Sequence, residues 1–540
     1  MTPEERHIDG AHTIGRWLTD RAESTGARIA IDDRGVTIDY RELEARAGDL
    51  ALSLRRAGYG PGDRIATVSG NAIDHVVAFF ACAKAGVAFV PLSWRLTPRE
   101  LADVLGRTGP QLLLIEDEHA ALAGAAVRAL DAAPPVAELG TTGVEAHVPA
   151  RCERFGAAPE RRGVRDDDVL LIIYTSGSEA APKGVMLTHA NCFWNNLALA
   201  GVAQLTADDV VLAMLPQFHV AAWNVQPLLA WWVGATVVLE RSFQPSRALQ
   251  LIAERGVTVM MGVPTQYQLL ADDPRFETTD VSRLRFVQVG GASIPPPLLA
   301  RWAQRGVALT QGYGLTEAAP NVLSLPAAEA ALHPGAVGRP YPHVDVCLVD
   351  PATELPLEGD AVGELWVRGP SVFAGYLDDP DATARARHGE WLRTGDLAAR
   401  DAASGVITIV DRLKDIYISG GENVAPAEVE LALCLHPLVA AAAVVGVPDP
   451  VWGERGVAFV VAHAGAAISE DEVLAHARRN LAAFKLPVRI VLVRDLPRSA
   501  IDKVSRARLR ERAAALMDGA SVDAAPGKES SDRAAERGRT

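Results

Sequence analysis

Cysteine is scarce in this 540-residue chain, and the five that occur, Cys82, Cys152, Cys192, Cys347 and Cys434, are odd in number and widely scattered. No C-x-x-C pair is among them, which argues against a disulfide framework and against zinc or redox motifs, and leaves buried thiols of a reducing compartment. Positive charge is also short. Lys and Arg number 53 against 67 Asp and Glu, and the formal charge of -14 speaks against broad attraction to a nucleic-acid backbone. Long apolar runs are missing, since none approaches the roughly 18 residues that a membrane span needs. Residues Met1 to Arg21 alternate charges with small residues and lack the apolar stretch and cleavage site of a secretory signal. These absences point to a cytoplasmic protein with no nucleic-acid partner and no membrane span, and leave the oligomeric state open.

What the chain does have is apolar content, at 49%, enough for several cores and two to four domains. Helical spacing of Leu43, Ala47, Leu50 and Leu54 predicts a helix over Tyr40–Ala57, followed by a turn and a strand from Arg64 to Ser69. A helix over Ala72–Ala85 and a strand over Val87–Leu92 come next. The same rhythm recurs with strands at Val169–Tyr174, Val210–Met214, Ala235–Leu239, Val257–Met261 and Phe286–Val289. Such alternation predicts an α/β fold of parallel sheets covered by helices. Short strands punctuated by Gly, Pro and Asp, at Val344–Val349, Gly363–Arg368 and Gly405–Val410, predict a smaller β-rich subdomain. Beyond Asp411 a mixed α+β unit follows. From Asp518 to Thr540 the composition turns to Ala, Ser, Gly and charge without apolar periodicity, which predicts a disordered tail.

Six motifs carry the chemistry. Tyr174-Thr175-Ser176-Gly177-Ser178-Glu179-Ala180-Ala181-Pro182-Lys183-Gly184 directly follows a strand. Backbone N–H groups, hydroxyls and the Lys183 charge suit anionic phosphate oxygens, although a polar glycine loop also serves as a plain connection. It lacks the Gly-Lys-Ser/Thr of a Walker A loop. Gly290-Gly291-Ala292-Ser293 and Gln311-Gly312-Tyr313-Gly314-Leu315-Thr316-Glu317 place glycines where a flat ring can approach backbone, with a tyrosine face between two of them. Asp396, in Arg393-Thr394-Gly395-Asp396, is an acceptor-only carboxylate able to take both ribose hydroxyl protons, and Arg412 adds donors. By itself Asp396 reads equally as the end of a strand. Finally, Asp411 to Val424 contains Gly420-Gly421, and Lys503 closes Arg498-Ser499-Ala500-Ile501-Asp502-Lys503.

In this order the motifs resemble the acyl-CoA synthetase, luciferase and nonribosomal-peptide adenylation-domain superfamily, over essentially Thr13 to Arg510. The chain departs from the family's Ser-Gly-Thr-Thr-Gly-x-Pro-Lys-Gly at Glu179 and Ala180, and has Asp502 where a glycine usually precedes the lysine. The resemblance implies a large N-terminal adenylation domain over 1–410 and a small mobile C-terminal domain over 411–517, with its hinge at Asp411. It implies ATP, Mg²⁺ and coenzyme A as cofactors and co-substrates. Thr175, Ser176, Gly177, Ser178 and Lys183 would contact phosphates. Gly290, Gly291, Ala292, Gln311, Gly312 and Tyr313 would line the nucleotide, with Thr316 on a phosphate or the reacting carboxylate and Glu317 on magnesium. Asp396 and Arg412 would hold the nucleoside, Gly420 and Gly421 the thiol route, and Lys503 would bridge the acyl carboxylate and the α-phosphate. The acid pocket falls at His219 and Trp223 beside Gly291 and Gly314, and its aromatic lining favours a flat or moderately apolar acid. Trp231 reads either as pocket wall or as packing, and His189 as a support of the phosphate loop. The implied activity is ligation of a small-molecule acid to coenzyme A through an acyl-adenylate. A carrier-protein thiol, an amine or nitrite activation is the alternative within the fold, and a nucleotide-binding scaffold without turnover is the alternative outside it.

Overall fold

The computed structural model describes residues 10–139, 148–156, 159, 162–175, 182–292, 294–420, 422–498 and 504–517. The residues from 518 onward, expected to form a tail, lie outside that set. The chain divides into two compact units that meet in sequence between Leu413 and Lys414.

In the large unit, two helix-covered sheets share one core. A nine-stranded sheet runs, edge to edge, through Arg339–Pro340, Asn321–Leu325, Leu309–Gly314, Phe286–Gly290, Val259–Gly262, Val210–Ala213, Thr236–Leu239, Ile29–Asp33 and Val36–Asp39. Its interior pairs are parallel, and antiparallel strands close both edges. A seven-stranded sheet runs through Gly375–Tyr376, Lys183–Thr188, Val169–Thr175, Ala88–Leu92, Arg64–Val68, Leu112–Glu116 and Val136–Leu139. The helix Ile73–Ala85 is apolar on every side and buries every residue except Lys84, as a helix must when covered all round. Its Phe79 and Phe80 join Ile31 and Val237 of one sheet and Phe89 and Leu171 of the other in a single apolar cluster.

Local chemistry sets the helix ends. Asp39 caps Tyr40–Arg56 by accepting from the Glu42 N–H at 2.8 Å, and Thr97 and Glu100 form a reciprocal capping box on Pro98–Thr108. A third sheet contains Asp345–Val349, Ala361–Arg368, Trp391–Arg400, Arg387–His388 and, paired to Trp391–Arg400, Ile407–Arg412. Asp396 therefore does not end a strand. It sits inside a ten-residue one, opposite Arg412.

The small unit is an α+β layer. Strands Val439–Asp449 and Gly453–Ala462 pair along their length, Arg489–Leu492 and the hairpin Tyr417–Ser419/Glu422–Val424 extend the sheet, and helices Pro426–Cys434, Glu470–Asn480 and Arg506–Met517 cover it. Among the described residues no helix is long and apolar enough to cross a membrane.

Candidate active site

The first motif leaves the seven-stranded sheet at Thr175 and returns at Lys183, which pair across an antiparallel ladder. The Thr175 hydroxyl donates to the Lys183 carbonyl at 3.5 Å. Ser176, Gly177 and Ser178, with Glu179, lie outside the described residues. The Lys183 ammonium stands 5.3 Å from the centroid of the Tyr376 ring.

The two glycine motifs lie side by side in the nine-stranded sheet, where Gly290 pairs with Gly312. A methyl group on Gly290 would fall 3.1 Å from the Gly312 carbonyl, and one on Gly314 only 1.5 Å from the Pro320 carbonyl, so the close approach of these backbones requires glycine. Gly291 turns the chain at φ +82°, and Gly291 and Ala292 are exposed beyond the strand end. Next to this seam the Gln311 amide nitrogen is buried without an acceptor among the described residues. A buried donor left in this way suits a polar ligand more than a closed apolar core.

Tyr313 donates to Asp396 Oδ2 at 2.6 Å, while Arg412 Nε lies 3.5 Å from Oδ1. Burial first, and then the facing carboxylate, hold the Tyr313 phenol well above its ordinary pKa, so it remains a donor. Asp396 is itself braced: its N–H donates to Thr394 Oγ1 at 3.0 Å, and the neighbouring Gly395 N–H donates to Glu364 at 3.0 Å. A carboxylate has about four lone-pair positions, so it can accept from several donors at once. Thr316 opens the short turn Thr316–Ala318, whose Glu317 accepts from the Tyr376 hydroxyl at 2.9 Å. One carboxylate fits a Mg²⁺ ion that takes most of its ligands from phosphate and water.

Trp223 does not line an accessible wall. It is 0% exposed, stacks on Phe79 at 4.5 Å, meets Phe89 and His75 edge-on, and donates its indole N–H to the Gln217 carbonyl at 2.6 Å. Phe79 of the helix Ile73–Ala85 and Phe89 of the strand Ala88–Leu92 draw it into the core because they offer more apolar contact than a loop would. Trp231, donating to the Ala30 carbonyl, is core packing as well. His219 is half-buried beside Phe218, at 4.6 Å between ring centroids. The segment carrying it is pinned from behind. Asn71 donates to the carbonyls of Leu215 and Glu240 and accepts from the Gln217 N–H, and the Gln217 amide oxygen faces His75 Nδ1 at 2.9 Å. His189 holds the N-terminal segment, its Nδ1 accepting from the Ile14 N–H at 3.1 Å.

In the small unit Gly420 occupies the hairpin tip at φ +62°, and a methyl group there would lie 2.6 Å from the Trp452 ring. Gly421 and Lys503 lie outside the described residues. Tyr376 and the Asn71–Gln217–His75 braces escape sequence reasoning. The one local signal at Tyr376 is a glycine before it and the Asp379-Pro380 helix start after it, which announces a turn and nothing about Glu317.

The chain belongs to the AMP-binding enzyme family, whose model matches residues 18–377, with the AMP-binding enzyme C-terminal domain matching residues 428–503. It is 40% identical over 499 residues to a feruloyl-CoA synthase of Amycolatopsis sp, covering 92% of this chain and 99% of that protein. Among solved structures it is similar to ATP-bound MatB from Rhodopseudomonas palustris, at 32% identity and a TM-score of 0.82, covering 93% of this chain and 98% of that one. It is also similar to the amide bond synthetase McbA from Marinactinospora thermotolerans, at 30% identity and a TM-score of 0.83, covering 93% and 99%.

Proposed function

We propose that the chain is an ATP-dependent acid–CoA ligase whose first acid to test is an aromatic one of the ferulate kind. The observation that carries this reading is the 40% identity to feruloyl-CoA synthase along nearly all of that protein. The gathering of Lys183, Glu317, Tyr313, Asp396 and Arg412 within one unit of a family member supports it. In the first half-reaction a carboxylate oxygen bonds to the α-phosphorus of ATP and pyrophosphate leaves; in the second the CoA sulfur bonds to the acyl carbon, its proton is lost, and AMP leaves.

Asp396 and Arg412 anchor the ribose, Tyr313 covers the base, and Lys183 meets the triphosphate. Glu317 would hold Mg²⁺, which when bound would supply positive charge against the triphosphate oxygens. Thr316 and Lys503 stabilise charge developing at the attack. A turn of the small unit about Asp411 then exchanges Lys503 for the thiol route beside Gly420 and Gly421. The likeness to an amide bond synthetase supports a second reading, in which the same adenylate passes to an amine.

The test is ATP-dependent pyrophosphate release across aromatic, short-chain and medium-chain acids and nitrite, with and without CoA, followed by mass spectrometry. An aromatic acyl-CoA product is expected. Release without a thioester would move the reading to the other acceptor, and silence with every acid would overturn it.

A further inference from the structure

Two charges of the site sit on different supports: Glu317 on a short turn beyond the nine-stranded sheet and Lys183 at the start of a strand in the seven-stranded sheet. One side chain touches both. The Tyr376 hydroxyl donates to Glu317 Oε1 at 2.9 Å across 59 residues of sequence, and the face of its ring receives the Lys183 ammonium at 5.3 Å.

Tyr376 is itself held on several sides. Gly375–Tyr376 pairs antiparallel with Val185 and Met186, two strand positions beyond Lys183. The Tyr376 N–H donates to Thr383 Oγ1 at 2.9 Å, and that hydroxyl donates onward to the Asp379 carbonyl at 2.9 Å. Its ring packs edge-on against Phe373 at 4.9 Å, and the Phe373 N–H donates to the Glu317 carbonyl at 2.8 Å. Backbone and side chain of Glu317 are thus both tied to the segment that carries Tyr376. A hydrogen bond to one carboxylate oxygen fixes the rotamer and turns the other oxygen to a ligand, the arrangement by which outer partners orient metal-binding groups. The aromatic face holds an ammonium without neutralising it.

We infer that Tyr376 is a positioning residue for the nucleotide and its metal: the hydroxyl aims Glu317 at a divalent cation, and the ring aims Lys183 at the triphosphate. The inference rests on the proposed function for its setting and divides into two separable effects. Tyr376→Phe removes the hydroxyl and keeps the ring, so the Mg²⁺ concentration for half-maximal pyrophosphate release rises about tenfold, while the KM for ATP at saturating Mg²⁺ stays near wild type. Tyr376→Leu removes both, and the ATP KM rises as well.

Calorimetric titration of a non-hydrolysable ATP analogue at low and high Mg²⁺ reads the same dependence without turnover. It decides the role of Tyr376 even if no acid supports pyrophosphate release, an outcome that would sink the proposed function alone. In a Glu317→Gln background, Tyr376→Phe should leave the Mg²⁺ dependence unaltered, because the hydroxyl acts through the carboxylate. Thermal unfolding of each variant, expected within about 3 °C of wild type for the loss of one half-buried hydroxyl, separates positioning from folding. A Tyr376→Phe protein with wild-type Mg²⁺ dependence in calorimetry and turnover would overturn the inference, as would an equal effect of Tyr376→Phe with Glu317 absent.

Discussion

Asp396 carries two obligations at the scale of a single residue. It accepts from Tyr313 and stands beside Arg412, and it is only 8% exposed. Asparagine keeps one oxygen for Tyr313 but loses the charge and half of the acceptor positions. A hydrogen bond to a charged group contributes about 1.5–3 kcal/mol, so Asp396→Asn should weaken ATP binding roughly 10- to 150-fold, with a smaller change in kcat. Calorimetry with the ATP analogue checks this, and unchanged affinity would reduce Asp396 to a strut for Tyr313. Short motifs in the sequence single out Lys183, Tyr313, Glu317, Asp396 and Arg412 one at a time. What sequence could not supply is who holds whom: that Tyr313 reaches Asp396 across 83 positions, or that Tyr376 reaches Glu317. Those contacts depend on how strands are ordered in the sheets, and no local spacing encodes that order.

At the scale of elements, periodicity is a good guide where one face or every face is apolar. The predicted helix over Tyr40–Ala57 is found at Tyr40–Arg56, and the predicted strand over Phe286–Val289 at Phe286–Gly290. Periodicity fails where turn-forming residues sit inside a strand. Thr394-Gly395-Asp396 looks like punctuation, and the strand does bulge there, its register against Ala361–Arg368 shifting between Glu364 and Trp366, yet it carries on because Thr394 and Glu364 satisfy the N–H groups of Asp396 and Gly395 with side-chain oxygens. Trp223 is missed for the opposite reason, since an aromatic in a loop motif resembles a pocket wall until a buried helix offers it a stacking partner. The hairpin tip at Gly420 gives a test. Alanine there would adopt a left-handed φ and press on the Trp452 ring, at a cost of about 1–2 kcal/mol before the ring moves. Gly420→Ala should slow thioester formation by about tenfold and leave acid-dependent ATP–pyrophosphate exchange nearly unchanged. Equal slowing of both steps would separate Gly420 from the thiol route.

For the whole molecule, two buried histidines of the large unit tie stability to pH. Burial pushes both His75 and His189 down to about 4. The Gln217 hydrogen bond and Glu116 oppose that shift at His75, where Arg241 adds to it, and Asp168 and Asp166 oppose it at His189. The Gln217 oxygen fixes the His75 proton on Nδ1, with Thr67 Oγ1 at 2.8 Å on the other nitrogen, while His189 Nδ1 accepts from Ile14. Both rings are therefore neutral when folded. Between about pH 6.5 and 4 the unfolded chain binds protons that the folded chain refuses, so stability falls as pH drops through that window and is unaffected by these groups above it. Each histidine should remove about 2 kcal/mol between pH 7 and 5, before the carboxylates begin to titrate. Nine of the ten tryptophans lie in the large unit, with only Trp452 in the small one, so tryptophan fluorescence in urea reports on the unit that matters. The wild-type unfolding free energy should fall by about 4 kcal/mol from pH 7 to 5, and His75→Gln with His189→Gln should remove most of that slope while lowering stability at pH 7. A slope unchanged by the paired substitution would mean that one or both rings already accept a proton in the folded protein, and that the core around Trp223 and Ile14 admits the water needed to solvate it.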